Sequence, residues 1–444
     1  MNRQRLLAGG ATVVGVTVFM LAVGAVAGGA EQAPAPAPIT RPVAAPAEVL
    51  SRADATTSIE ALQARLRTVP KDGSAWSSLG LLYTQQAKLS ADPSFYGKAD
   101  GAFARALALA ADDPVAISGQ AALAAARHDF SQALTLAKRA DRLNPYSAAN
   151  LGVMADALGE LGRYPEYLTT LQRMVDLTPG VPSYARVSYS YELRGDTKGA
   201  RFALEQALGA AQRPADVAYA QQYLGELAFN EGDLATARRH VTAGLAADPT
   251  HVPLLAGRAR IAAASGDTAA ALRDWQDVTA RLPEPTYLIE YADLLAALGR
   301  TADAERQYAV VDATIRLFRA EGANVDLEVA LYEADRGRSR EALRSAGAEI
   351  ARRQSVHVED AYAWALHSAG DDATALVHAR KAQRLGTRSA LFAYHRGMIE
   401  KSLGQDDAAR ASLSRALKIN PHFSPLHAPR AKAALAELGG SAAR

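Results

Sequence analysis

The sequence predicts an all-α solenoid of about ten repeated helix pairs, and three observations carry that prediction. Apolar residues make up 49% of the 444 positions and charged residues 22%, with aromatics only 6% and alanine the largest single part of the apolar share. Alanine is the strongest helix former and lets helices approach closely. A glycine recurs at Gly162, Gly195, Gly232, Gly266, Gly299, Gly337, Gly370 and Gly404, in steps of 33, 37, 34, 33, 38, 33 and 34 residues. Small residues keep step with it. Seven positions before each glycine stand Ala155, Ser188, Gly225, Ala259, Ala292, Ala330, Ala363 and Gly397. Five positions after stand Ala200, Ala237, Ala271, Ala304, Ala342, Ala375 and Ala409, with Tyr167 in the first unit. Units that pack only on their neighbours need no larger central core, so a chain of this length need not divide into globular domains.

The N-terminus gives the expected location. Arg3 and Arg5 precede a run from Leu6 to Ala27 without a charge, 22 residues in all. As a helix it spans about 33 Å, enough for a hydrocarbon core of about 30 Å. The basic flank stays in the cytoplasm and sends the rest outward. Two fates are open for residues 1–27: a signal peptide cleaved at Ala25-Val26-Ala27, or an uncleaved signal anchor that holds the chain to the membrane through residues 6–27. An Ala/Pro-rich linker, 28–57, follows, with Pro34, Pro36, Pro38, Pro42 and Pro46; it reads as a stiff spacer or an ordinary disordered linker. Residues 58–72 form an expected capping helix on Ile59, Leu62 and Leu66.

The repeats come next, over 73–423. Each glycine supplies the left-handed conformation that ends a helix, and Asp196, Asp233 or Asp267 caps the helix that begins just after. Pro145, Pro179, Pro249, Pro283 and Pro421 stop the second helix. Two units precede the eight glycine-marked ones. One rests on Gly80, Tyr83, Ala99, Phe103 and Ala106, the other on Ala121, Ala133, Ala137, Ala140 and Pro145, with His128 in the glycine's place. In the first of these, Ala87 to Gly97 is expected to lengthen the turn, either as a locally packed turn or as a contact loop carrying Phe95 and Tyr96. Residues 424–444 supply a C-terminal capping helix and tail.

The stretch Trp76–Leu79-Gly80–Tyr83, and Leu224-Gly225 followed by Gly232, Ala237 and Pro249, resembles the tetratricopeptide repeat. That resemblance implies a right-handed α-solenoid whose first helices line a concave groove. It implies groove positions for Tyr189, Glu192, Tyr219, Gln222, Glu226, Phe229, Arg260, Asp293, His357, Asp360, Trp364, His367, Tyr394 and Met398. Packing between neighbouring first helices is the alternative reading of each. The lysines and asparagines with which family members grip a C-terminal carboxylate are missing here. The two relevant series read Ser77, Ser118, Gly152, Ala185, Gln222, Ala256 and Leu81, Ala122, Asp156, Tyr189, Glu226, Arg260. The acid-leaning groove suits a neutral or basic segment better.

No catalytic signature accompanies the repeats. There is no HExxH, no Gly-x-Ser-x-Gly, no Walker A and no dinucleotide fingerprint in the folded part. Cysteine is absent, which excludes disulfides and thiolate chemistry. His357 and His367 share a helical face with Asp360, yet stand about 15 Å apart along it, too far to share one metal ion. A net charge of +2 without long charge runs gives no ground for a nucleic-acid partner. The expectation is therefore a binding scaffold without cofactor or metal, whose partner is a peptide or helix of another protein. The alternatives are a non-protein ligand such as a cell-wall glycan, or a structural or oligomerisation spacer.

Overall fold

The computed structural model describes residues 52–441, with side chains over 55–439. The expected signal or anchor segment and the linker up to residue 51 lie outside the described residues, as does the end of the tail. The described residues belong to one compact unit, Pro46–Arg444. Among them there are 22 helices and no strand, and no helix is long and apolar enough to cross a membrane.

Helix α1 (Arg52–Thr68) precedes ten helix pairs. The first five pairs are α2 (Gly73–Ser90) with α3 (Ser94–Leu109), α4 (Pro114–Ala126) with α5 (Phe130–Leu143), α6 (Ala148–Glu160) with α7 (Tyr164–Leu177), α8 (Val181–Glu192) with α9 (Thr197–Ala210), and α10 (Pro214–Asn230) with α11 (Leu234–Ala247). Then follow α12 (Val252–Ala264) with α13 (Thr268–Arg281), α14 (Pro285–Ala297) with α15 (Thr301–Ala320), α16 (Asp326–Asp335) with α17 (Ser339–Arg352), α18 (Val356–Ser368) with α19 (Asp372–Ala382), and α20 (Ala390–Ser402) with α21 (Asp406–Ile419). Helix α22 (His427–Ser441) closes the array.

Local chemistry explains the pairs. All eight register glycines have φ between +70° and +84°, the left-handed region that glycine enters without a Cβ penalty. His128 takes the same role at φ +59°, with its ring stacked on Phe130. The carboxylates of Asp196, Asp233 and Asp267 accept the amides of Gly199, Thr236 and Ala270 and so cap α9, α11 and α13. The register's small residues sit where the paired helices cross. Phe103, fully buried, wedges its ring against both Gly80 and Gly119.

Three expectations on boundaries change. Helix α1 begins at Arg52, six residues before the expected capping helix, because Ala55 is buried and draws the preceding turn onto the array. In the first unit the extra residues do not lengthen the turn. They extend α2 and α3 to 18 and 16 residues, and the connection is only Ala91 to Pro93, with Ala91 at φ +50°. Tyr96 is buried there and Phe95 packs beside Tyr83, so these aromatics hold the unit together. The long register steps have the same cause: α10 reaches 17 residues and α15 reaches 20.

The solenoid also stacks on itself. The amide of Val356 donates to the Tyr164 hydroxyl at 2.9 Å, across 192 positions. The Thr387 hydroxyl donates to the Leu193 carbonyl across 194 positions, and the Asn420 side-chain amide to the Phe229 carbonyl across 191. The Asn324 amide reaches the Arg127 carbonyl at 2.8 Å. With units of about 34 residues, that separation is between five and six units, so successive superhelical turns touch. The helix–helix turns of units two to five meet the loops that follow units seven to ten. An ion cluster stitches this seam: Arg353 bonds Glu160 across it and Glu349 on its own side, with its guanidinium over Phe130 at 4.8 Å. Val356 and Phe392 join the same apolar cluster as Leu151, Leu158 and Leu193.

Candidate binding lumen

First helices of neighbouring units touch one another, as α10 does α12 and α16 does α18, whereas the second helices are spread further apart. The first helices therefore form the inner, concave layer. Their inward positions carry arginine–acid pairs that link consecutive units. Arg186 forms two bonds of 2.7 Å to Asp156, and Arg260 bonds Glu290 at 2.6 and 2.7 Å. Both pairs are 30 residues apart, one unit along and one helical turn back. That spacing was legible in the sequence, but neither Asp156–Arg186 as a pair nor Glu290 emerged from it.

One cavity of 670 Å³ opens off this layer. Helices α10, α12 and α14 wall it, and the chain from Pro421 to Lys432 closes it from the next superhelical turn. Phe229, Trp275, Leu294 and Phe423 give it an apolar lining. Its charged groups are the acids Glu226, Glu290 and Asp293 and the bases Arg260 and Lys432. Arg260 neutralises Glu290; burial works against the Arg260 charge, but Glu290 holds the guanidinium protonated. Glu226 accepts only from the Gln222 amide at 3.1 Å, and Asp293 only from the Tyr308 hydroxyl at 2.7 Å. Burial pushes the Glu226 carboxyl up, against the pull of Arg260. It pushes Asp293 up to about 7, with Asp335 and Glu290 adding to the rise and the Tyr308 hydroxyl opposing it. Glu192, whose carboxylate accepts from Ser188, is likewise raised to about 7 by burial.

Five of the fourteen expected groove residues line this cavity: Gln222, Glu226, Phe229, Arg260 and Asp293. Tyr219 lies edge-on to Tyr223 at 4.9 Å on the same helix α10. Tyr189 meets His357 at 6.4 Å across the seam. It keeps 37% of its surface accessible, and the partial loss of water around it raises its hydroxyl above the usual range. Lys88 behaves similarly: its side chain still meets water, while the surrounding protein lowers its ammonium pKa.

The C-terminal members of the expected set are placed differently. Asp360, Trp364 and Tyr394 are buried. Asp360 bonds His395 at 2.8 Å, Trp364 donates to Asp335 at 2.7 Å and stacks on His395 at 4.2 Å, and His427 of α22 bonds Asp335 at 3.1 Å. His367 is tied to Asp372, and Met398 packs with Trp364 and Tyr394 in one apolar cluster. The cap helix thus turns part of the expected groove into core. Sequence reasoning expected a capping helix in 424–444 but missed that closure, because it depends on where α22 comes to rest. Among the described residues no group of three histidine, cysteine, aspartate or glutamate side chains is placed to hold a metal ion.

A sequence model of the tetratricopeptide repeat matches residues 392–423, the unit built from α20 and α21. The other nine helix pairs share that unit's helix order, and seven of them share its glycine turn. The fold is a tetratricopeptide-type solenoid. No curated protein matches its sequence. Among solved structures, a tetratricopeptide-repeat protein of Parabacteroides merdae is 19% identical, with 58% of this chain and 97% of that one covered and a TM-score of 0.36. The Cut9–Hcn1 hetero-tetramer of the APC/C is 16% identical, covering 87% and 82%, at 0.40. A thermophilic repeat protein of Thermus thermophilus is 24% identical, covering 38% and 90%, at 0.35. Likenesses at these scores carry no argument about partner or activity.

Proposed function

We propose that this tetratricopeptide-type solenoid is an extracytoplasmic scaffold that binds a peptide or helix of a partner protein in its lumen, and acts by binding and not by catalysis. The repeat fold supports a protein-interaction role in general. The observation that carries the finer reading is the 670 Å³ cavity, with apolar walls and two carboxylates, Glu226 and Asp293, that form no ion pair among the described residues. An apolar pocket with a few convergent polar groups is the usual form of a binding site. Uncompensated acids in it favour a basic or neutral segment over an acidic one. The location rests on Arg3, Arg5 and the uncharged run from Leu6 to Ala27.

A photo-crosslinker in place of Phe229, with the crosslinked partners identified from cell envelopes, tests the lumen. A discrete partner whose capture falls with Glu226→Gln and Asp293→Asn supports it. A capture pattern indifferent to both substitutions removes the cavity as the seat. Protease added outside sealed spheroplasts tests the location, since a repeat region that resists it is cytoplasmic.

A further inference from the structure

Self-stacking uses only part of each edge of the superhelix. A Cβ added at Gly162 would meet the Gln354 carbonyl oxygen at 2.6 Å, one at Gly195 would meet that of Gly386, and one at Gly232 would meet Pro421 at 3.2 Å. At Gly266, Gly299, Gly337, Gly370 and Gly404 it would meet nothing within 4 Å. Those five turns are the trailing edge, bare among the described residues. The leading edge is the mirror case: the loops after units one to five have no turn above them among the described residues.

One leading loop closely repeats a docked one. Leu143-Asn144-Pro145-Tyr146 corresponds to Ile419-Asn420-Pro421-His422. Both asparagines end a second helix in extended backbone, and each side-chain oxygen accepts the amide two residues on, at 3.2 and 2.8 Å. In the seam, the Asn420 amide nitrogen then donates to the Phe229 carbonyl, and Ile419 is only 5% exposed. At the leading edge the Asn144 amide nitrogen has no partner among the described residues. Leu143 is 42% exposed and Tyr146 79%. Val69, Leu109 and Val115 are exposed on the same edge. A rim of exposed apolar residues marks an interaction surface.

We infer that the occupant of this leading edge is the trailing edge of a second copy of the chain, docked head to tail so that the seam continues between molecules. The complementary surface is already present: the five open glycine turns have the φ of those that receive loops inside the molecule. The carbonyls matching that of Phe229, three residues before each glycine, are those of Ala263, Ala296, Ala334, His367 and Lys401. Such a contact is heterologous and does not close, so it builds a filament along the superhelix axis and not a dimer. It does not depend on what the lumen binds.

The test is the mass of the full chain in detergent, followed by multi-angle scattering across micromolar concentrations. The expected wild-type result is a mean protein mass that more than doubles without a plateau. Tyr146→Asp spoils the leading edge; Ala369→Arg with Ser402→Arg spoils the trailing edge, all at exposed positions. Each variant alone is expected to stay monomeric, and their equimolar mixture to stop at a one-to-one dimer, because each supplies the edge the other lacks. A wild type that stays monomeric overturns the inference. So does assembly that persists in either variant alone, or a mixture that fails to form the one-to-one dimer. Unchanged thermal melts establish that the variants are folded.

Discussion

Alanine substitution of the register glycines separates two costs that the sequence merges. At every turn the residue sits at φ between +70° and +84°, where a non-glycine residue loses about 1–2 kcal/mol. Gly266→Ala and Gly299→Ala meet open space and should show that cost alone. Gly162→Ala adds a methyl group 2.6 Å from the Gln354 carbonyl oxygen, and Gly195→Ala one against the Gly386 carbonyl. Both obstacles are backbone, so no rotamer change relieves them, and forced overpacking adds about 1–3 kcal/mol. The seam has its own reporter, the Val356 amide, whose partner is the Tyr164 hydroxyl. Its hydrogen exchange should speed up by about 5- to 100-fold in Gly162→Ala, at about 1.4 kcal/mol per tenfold. In Gly266→Ala it should stay near wild type. Exchange at the local amide is the right assay, because long repeat arrays do not unfold in two states. Equal acceleration in both variants would refute the stacking of turns as the origin of the difference.

The other predictions are briefer. Arg353→Met should cost about 3 kcal/mol at the seam, the lower end for breaking a buried pair because Arg352 still faces Glu349; urea titration with Val356 exchange reads it. Burial acts to raise the Glu349 pKa, but Arg353 and Arg352 overcome it and hold it below the usual value. Its contribution is therefore present above the ordinary glutamate pKa and lost as pH falls through the depressed one, so acid should open the seam early, detected by the same amide. Asp293 has the opposite sign: with its folded pKa raised to about 7, its cost to stability grows as pH rises from the unfolded aspartate value to about 7. Asp293→Asn should thus gain urea resistance relative to wild type on going from about pH 5 to about pH 8, and a fixed difference across that range contradicts the burial of an unpaired carboxylate. Gly80→Ala places a methyl 2.5 Å from the Phe103 ring and should cost about 1–3 kcal/mol, with Phe103→Leu restoring part of it in a double-mutant cycle; additivity of the two would deny the contact.

Much of the array was readable in residue types because each unit repeats the same local problem. A left-handed turn needs glycine, and Gly195 and Gly232 supply it; a free helix end needs an acceptor, and Asp196 and Asp233 supply it. Where several residue types meet the need, legibility fails. Ala91 closes the first turn at φ +50°, so the extra residues of that unit looked like loop and proved to be helix. The groove positions from Tyr189 to Asp293 were implied by the resemblance to the tetratricopeptide repeat, and Gln222, Glu226, Phe229, Arg260 and Asp293 among them line the cavity. The burial of Asp360, Trp364 and Tyr394 was not, since it depends on where His427 and α22 come to rest.

Sequence by itself determined the helix pairs and their register, because those follow from interactions within about forty residues along the chain. Tertiary structure alone decided that the superhelix closes on itself after some 192 residues. It alone put Arg353 beside Glu160, Asn420 beside Phe229, and a C-terminal segment across the lumen. The physical reason is accumulation: a small rotation between neighbouring units, set by how their side chains interlock, is invisible in any one unit. Summed over five or six units, it decides whether the two edges of the solenoid meet.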